Sequence, residues 1–448
     1  MRISVLGTGY LGATHAAALA RWGHDVVGVD VDVRRIEQLA DGVAPFHEPG
    51  FAELLREGVL SGRLAFSTDA SAVDSADVHF LCVGTPQLDG GHAADLRALW
   101  AAVDALAPRL RHGALVVGKS TVPVGTAALV QERLEDLTAP GHGVEVAWNP
   151  EFLREGHAVE DSLRPDRLVL GVASDAAEAR LREVYRQVLC DGVPAVRTDL
   201  QTAELAKASA NVMLASRISV VNVLAEVCEA ANADIERLTE ILGLDSRIGP
   251  RYLSPGIGFG GGCLPKDLRA FSSRAAELGV ETASQLLGAV DEVNVYQRQR
   301  AVDLARRLLD GRPRGRQVAV LGASFKADSD DVRDSPALAV ATGIAALGAC
   351  VHVYDPEAGH HLADRLDLEV RDSAESACER AELTLVLTEW AQFGALDPVA
   401  LGRIVRRRVV VDGRLVLDPH RWTRAGWQVH ALGRRDPDPQ LDTRRRAG

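Results

Sequence analysis

Lysine is nearly missing from this chain. Of 50 basic residues only four are lysine: Lys119, Lys207, Lys266 and Lys326. A lysine that persists among so many arginines marks a position where a compact, tunable ammonium serves better than a wide, permanently charged guanidinium. Paired cysteines are missing too. Cys82, Cys190, Cys228, Cys263, Cys350 and Cys378 lie scattered without CxxC or CxxxC spacing. That argues against a disulfide framework and against a cysteine zinc site, and no metal centre is expected. No apolar run approaches the ~20 residues of a membrane span, so no membrane partner is expected. Met1 to Gly7 reads as a strand and not as a signal peptide, which points to the cytoplasm. The net charge of −12 disfavours nucleic acid as a partner, though it leaves room for a locally basic pocket.

What is present is an ordinary soluble composition, 47% apolar and 25% charged, over 448 residues. A chain of this length divides into two or three domains. Arg2 to Leu6 is a short strand leading into Gly7-Thr8-Gly9-Tyr10-Leu11-Gly12. A helix-compatible stretch follows (Ala13 to Trp22), then a second strand (Asp25 to Val29) ending in Asp30. This is the dinucleotide fingerprint in its required context. The glycines admit a pyrophosphate to a helix N-terminus, whose dipole favours the anion. An acid about twenty residues on accepts hydrogen bonds from a ribose and repels a 2′-phosphate, so NAD is expected over NADP.

Strand and helix go on alternating. Val78 to Val83, Ala114 to Gly118 and Val144 to Trp148 read as buried strands. They end in Gly84-Thr85-Pro86, in Lys119 to Thr126 and in Asn149 to Gly156. Ligands of an open parallel sheet gather at the carboxyl ends of its strands, so these motifs are expected to line one crevice. Leu200 to about Ala233 has no proline or glycine and reads as one helix of some thirty residues. Lys207 and Asn211 lie one turn apart on it, and Glu204 is expected on a solvated face. A helix this long suits a domain bridge or a partner chain, and a dimer is expected.

Pro255 to Asp267 packs five glycines, Cys263, Lys266 and Asp267 into thirteen residues. Such a loop has the parts of an activated nucleophile, or else is structural around an inert buried thiol. After a linker at Arg312 to Gly315, strands at Gln317–Leu321 and Cys350–Tyr354, the second ending in Asp355, repeat the opening plan. Leu383 to Leu387 and Val409 to Val411 read as further strands. The turn lacks GxGxxG spacing, so a second dinucleotide is not expected to bind there in the same way. The fold class is therefore α/β, with two Rossmann-like doubly wound domains joined by a long central helix. The domains are expected at 1–199 (NAD binding), 200–311 (central, helical, carrying the cysteine loop) and 312–433 (the second Rossmann-like domain), with a disordered tail at 434–448.

The motifs GTGYLG, VGTP, KSTVPVGT, NPEFLREG, the Glu204/Lys207/Asn211 helix, GFGGGCLPKD and FKADSDDVRDSP occur in that order. In these the chain resembles the UDP-glucose/GDP-mannose dehydrogenase family, from Met1 to about Gly433. The resemblance implies two successive hydride transfers to NAD, taking a sugar C6 alcohol to a carboxylate for polysaccharide biosynthesis. Cys263 would be the nucleophile, Lys207 and Asn211 would steady an oxyanion, and Asp267, Thr121 and Glu151 would assist. The base of the first oxidation stays open among Lys207, Asp267 and a water activated by Glu151.

For NAD the resemblance implies Gly7, Gly9, Tyr10, Leu11, Gly12, Asp30, Arg35, Thr85, Thr121, Glu151, Lys266 and Arg333. For the nucleotide sugar it implies Glu151, Phe152, Leu153, Arg154, Lys207, Asn211, Tyr252, Leu253, Ser254, Pro255, Gly256, Gly260, Lys326 and Arg414, with Arg247 reaching the sugar nucleotide of a second subunit in a homodimer. The third domain would hold the UDP-sugar. Pro255 to Phe259 looks more like the UDP-glucose version than the GDP-mannose one. Gly262 replaces a usual serine and Ala208 a frequent tyrosine. A two-electron dehydrogenase of the 6-phosphogluconate type and a catalytically dead nucleotide-binding protein are the alternatives.

Overall fold

A computed structural model describes residues 1–434; the tail expected to be disordered lies, but for Arg434, outside the described residues. The chain forms two compact units. The first comprises Met1–Asn211 with Arg269–Val280, the second Val212–Leu268 with the chain from Glu281 on. Two of the three boundaries fall inside helices, Leu200–Ala231 and Leu264–Glu277, and the third lies at the start of the helix Glu281–Leu308.

In the first unit β1 (Arg2–Leu6), β2 (Asp25–Val29), β3 (Leu64–Ser67), β4 (Val78–Leu81), β5 (Leu115–Gly118), β6 (Glu145–Trp148), β7 (Leu168–Gly171) and β8 (Ala195–Thr198) form one sheet. Their order is β3-β2-β1-β4-β5-β6-β7-β8, parallel except where Trp148 pairs antiparallel with Gly171. In the second unit β9 (Gln317–Leu321), β10 (Cys350–Tyr354), β11 (Glu369–Val370), β12 (Leu383–Val386), β13 (Val409–Asp412) and β14 (Gln428–Ala431) form a wholly parallel sheet, ordered β11-β10-β9-β12-β13-β14. The first six strands of the one and all six of the other share the doubly wound order 3-2-1-4-5-6. Helices cover both faces of such a sheet, which is why β4, β5, β12 and β13 are buried along their whole length. The reading of two Rossmann-like domains joined by a long helix holds.

The helix Leu200–Ala231 runs 32 residues. By length and composition it is long and apolar enough to cross a membrane, contrary to the expectation from unbroken runs. The apolar residues are interrupted too often to form a run, yet few of the interruptions are charged. Several of them bind protein: Arg217 donates to the carbonyls of Ile248 and Gly249, and Asn222 accepts the Gly256 amide at 2.8 Å.

Candidate active site

In the first unit the glycine turn leads straight from β1 into the helix Tyr10–Arg21. A Cβ on Gly12 would collide with the Gly7 carbonyl oxygen, so the turn closes only around a bare α-carbon. A Cβ on Gly9, the N-cap, would meet nothing within 4 Å. Packing does not require glycine there, and the open side exposes first-turn amides to an anion. Asp30 accepts the Thr8 amide at 2.7 Å, the Asp32 amide at 3.0 Å and Arg35 at 3.2 Å. Burial works to raise its pKa, but the two amides and Arg35 hold it below the usual carboxylate value. The turn and its acid therefore fit a dinucleotide with free ribose hydroxyls. The Tyr10 hydroxyl donates to Glu48 and accepts the Gly156 amide at 3.0 Å, and Glu48 also accepts the amides of Gly156 and Ala158. Glu48 went unread in the sequence because it belongs to no motif. Leu11 is half-buried on the first helical turn.

β4, β5 and β6 are neighbours, so their carboxyl ends meet. The Thr85 hydroxyl donates to the Thr121 carbonyl at 2.7 Å. Glu151 forms an ion pair with Lys207 at 2.9 Å, both nearly buried, and accepts the Leu153 amide. Phe152 has Lys207 over its ring at 5.9 Å and Arg167 at 3.7 Å, the latter unread in the sequence. Arg154 is paired with Asp161, and Asn211 is buried.

Two expectations fail in this region. Lys119 does not line the crevice: its ammonium is buried against the Asn149 side chain at 2.9 Å and the Tyr185 hydroxyl at 3.3 Å. Burial lowers its pKa to about 8. Nor is Glu204 solvated. It accepts the amides of Gly125 and Ala127 at 2.7 and 2.6 Å, capping the helix Thr126–Leu137, and burial raises its pKa against the pull of those amides. A carboxylate near the start of a long apolar helix looks solvated in sequence; only the fold brings the N-terminus of another helix to it.

In the second unit Cys263 is exposed and its carbonyl accepts the Asp267 amide at 3.0 Å, which sets it at the start of the helix Leu264–Glu277. Lys266 pairs with the buried Asp267 at 2.5 Å. By contrast burial pushes the thiols of Cys82 and Cys378 up to about 12 and that of Cys228 upward, leaving all three inert. Cys263 is therefore not the buried thiol that the alternative reading expected. Two of the residues that hold its loop, Asn294 and Arg298, were not singled out in the sequence. Asn294 accepts the Phe259 amide at 2.7 Å and donates to its carbonyl at 3.1 Å, and Arg298 donates to the same carbonyl while pairing with Asp334. Asp331 accepts the Gly262 amide at 3.3 Å and is gripped by Arg333. A Cβ on Gly262 would collide with the Arg333 guanidinium, so the missing side chain is the space that Arg333 fills.

Arg414 donates to the carbonyls of Leu387, Gly258 and Phe325, and Lys326 lies over the Phe325 ring. Pro255, Gly256 and Gly260 are buried beside them in sequence, with Leu253, while Ser254 is exposed. Tyr252 has φ 60, a left-handed conformation rare for a bulky residue. Arg247 is exposed and paired with Asp245 at 2.6 Å. Of the residues expected to act together, Thr121, Glu151, Lys207 and Asn211 belong to the first unit, and Cys263, Lys266 and Asp267 to the second.

Three models of one family match the chain in order. They are the NAD binding domain of the UDP-glucose/GDP-mannose dehydrogenase family over residues 1–189, its central domain over 201–296 and its UDP binding domain over 319–419. The chain belongs to the UDP-glucose/GDP-mannose dehydrogenase family. Members of this family are NAD-dependent nucleotide-sugar dehydrogenases, and this chain is one of them. It is 41% identical to the UDP-glucose 6-dehydrogenase AglM of Haloferax volcanii, covering 93% of this chain and 97% of that one. It is 40% identical to the UDP-glucose 6-dehydrogenase of Rhizobium meliloti, covering 97% and 100%. Among solved structures, a UDP-glucose dehydrogenase from Pyrobaculum islandicum superposes with a TM-score of 0.88 at 38% identity, covering 97% and 98%.

Proposed function

We propose that this dehydrogenase oxidises UDP-glucose to UDP-glucuronate in two NAD-dependent steps through a thioester on Cys263. The observation that carries the reading is the exposed thiol at the head of a helix, at the end of a pinned glycine loop. NAD, when bound at the Gly7–Gly12 turn with Asp30 on its ribose, supplies a hydride acceptor. In the first oxidation the C6 alcohol loses a hydride and a proton to become an aldehyde. Lys207, Asp267 and a water on Glu151 are the candidate bases, since each belongs to an ion pair that can pass a proton. The Cys263 sulfur then adds to the aldehyde carbon, giving a thiohemiacetal. Loss of the second hydride and of the hydroxyl proton leaves a thioester. Water attacks its carbonyl, the C–S bond breaks, and the thiol returns with a carboxylate as product. Overall, UDP-glucose, two NAD⁺ and one water give UDP-glucuronate, two NADH and three protons. The oxyanion formed in the last step needs donors, and the Lys207 ammonium and Asn211 amide are suited to it.

UDP-glucose is favoured over GDP-mannose by the 36–41% identity to bacterial and archaeal UDP-glucose 6-dehydrogenases along nearly the whole chain. The remaining assignments of NAD and sugar-nucleotide ligands, and the three-domain division at 199 and 311, belong to the same proposal. So does a cytoplasmic homodimer. Met213, Val220, Val223 and Val227 form an exposed apolar stripe on one face of the long helix, a surface that a second copy would cover. The exposed Arg247 would exchange Asp245 for a neighbouring sugar nucleotide.

The test is NADH formed per UDP-glucose consumed, with GDP-mannose in parallel, for wild type and Cys263→Ala. Two NADH per UDP-glucose, lost in the variant, is the expected result. One NADH, indifferent to the substitution, would sink the thioester route, and turnover of GDP-mannose alone would sink the sugar.

A further inference from the structure

Away from the cysteine loop, the second unit gathers two histidines and a carboxylate from segments thirty residues apart. His360 and His361 lie on a 3-10 turn, Ala358–Leu362, that follows β10. Asp330 lies in the loop between β9 and the helix Pro336–Ala346. One ligand atom from each of the three falls within 4.8 Å of the other two. The Nε2 atoms of His360 and His361 are 4.0 and 3.6 Å from Asp330 Oδ2. The two imidazole rings are tilted 40° to each other with centroids 3.9 Å apart.

The tautomer of His360 makes this cluster informative. Its Nδ1 lies 2.8 Å from the Glu357 carbonyl oxygen, and a carbonyl only accepts, so Nδ1 carries the hydrogen. In neutral His360 the Nε2 lone pair therefore faces a carboxylate oxygen, acceptor against acceptor. A cation between them turns that repulsion into ligation. An Nδ1–H held by a backbone carbonyl, with Nε2 turned to the metal, is also how metal-binding histidines are oriented.

Both segments are anchored. Asp355 accepts the amides of Glu357 and Ala358, fixing the turn that carries the histidines. Asp331, next to Asp330, is pinned through the Ser329 hydroxyl at 3.1 Å and through its carbonyl to the Phe325 amide at 3.0 Å. Tetrahedral ligands about 2.0–2.1 Å from zinc sit roughly 3.3–3.5 Å from each other, so the existing separations close with small side-chain movements.

We propose that Asp330, His360 and His361 bind a divalent transition-metal ion of the zinc and nickel class, with water completing the shell. The two imidazoles favour these ions over calcium and magnesium, which take oxygen ligands; the carboxylate suits either class. The ion cross-links the turn after β10 to the loop whose next residue, Asp331, holds the Gly262 amide beside Cys263. Its role is to tie down that loop, not to take part in the oxidation.

The test is calorimetric titration with Zn²⁺, then Ni²⁺, of the full chain without a histidine tag, in a Cys263→Ala background so that the exposed thiol cannot serve as ligand. Asp330→Asn, His360→Asn and His361→Asn are compared with that parent, with apo melting curves checking that each is folded. Both histidines are exposed, so folding should survive their substitution, while the Asp330 side chain is only 14% exposed and its variant depends most on that check. One ion per chain, weakened at least tenfold by each substitution, is the expected result. Magnesium should give no comparable heat. Equal binding by parent and His361→Asn, or no binding by the parent below millimolar Zn²⁺, overturns the proposal.

Discussion

The two sheets have the same strand order and part company just after their first strands. In the first unit β1 passes through only three residues, Gly7 to Gly9, into a helix, and the acid ending β2 (Asp30) keeps part of its carboxylate for a ligand. In the second unit fourteen residues, 322–335, separate β9 from the helix Pro336–Ala346. The matching acid, Asp355, is buried and fully engaged. It accepts the amides of Ala323 and Ser324, the Ser324 hydroxyl and the Trp390 indole on one oxygen, and the amides of Glu357 and Ala358 on the other. An acid that has bound six protein donors has none of its lone pairs left for a ribose. The same plan thus yields a turn that fits a dinucleotide in one unit and an internal brace in the other. The long second loop carries Lys326, Asp331 and Arg333 instead.

The sharpest way to break this contrast is Gly12→Ala. Its methyl would strike the Gly7 carbonyl, so the turn must open. NAD affinity, followed by fluorescence quenching, should fall by roughly 100-fold or more, a loss of about 3 kcal/mol. Retained affinity would show that the turn is not the cradle.

Next come the paired acids. Asp355→Ala strands buried amides and an indole N–H, each costing about 1–3 kcal/mol, so urea unfolding should show a loss of several kcal/mol. The KM for NAD should not change. Asp30→Ala should do the reverse, raising the KM for NAD roughly tenfold with a smaller stability loss and narrowing the preference over NADP. If both variants merely unfold, the contrast fails.

The fifth strands offer a subtler test. β5 ends beside the buried Lys119 and β13 ends at the buried Asp412. Unfolded lysine keeps its proton to about 10.5, whereas Lys119 in the fold releases it near 8. Below pH 8 both states are charged and the cost of burial is felt in full. Between 8 and 10.5 the unfolded state binds more protons, so stability rises with pH. Relative to Lys119→Met, wild type should gain about 1–3 kcal/mol between pH 7.5 and 10. Asp412 runs the other way. Burial raises its pKa against the amides of Leu417, Val416 and Arg414. Its contribution is present below 3.8 and fades as pH rises above it, which Asp412→Asn would remove.

The smallest effect is expected from Gly262→Ser. The obstructing atoms are the far end of a flexible arginine, so the guanidinium can swing aside. Melting temperature should shift by only a few degrees, and kcat by a few-fold. Complete loss of activity would mean that Arg333 itself must occupy that space.

Much of this was legible in the chain. The GxGxxG turn with Asp30 is a local pattern, because a strand, a turn and a helix N-terminus need only consecutive residues to form an anion site. The long helix is equally local, being a stretch without breakers. The lysine scarcity pointed at four positions, yet it could not tell Lys207, paired with Glu151, from Lys119, sunk against Asn149 and Tyr185. Both are buried ammoniums in motifs, and their difference lies in which way the side chain turns.

What the order of residues determined by itself was the family and the cofactor, since these rest on short-range patterns of backbone freedom and reactive groups. Tertiary structure alone decided that Glu204 caps a helix, that Asn294 and Arg298 pin the cysteine loop, and that Asp330 meets two histidines thirty residues away. Each of these is a contact between distant segments. A hydrogen-bond partner or a lone-pair conflict exists only once the chain has closed the loops between them.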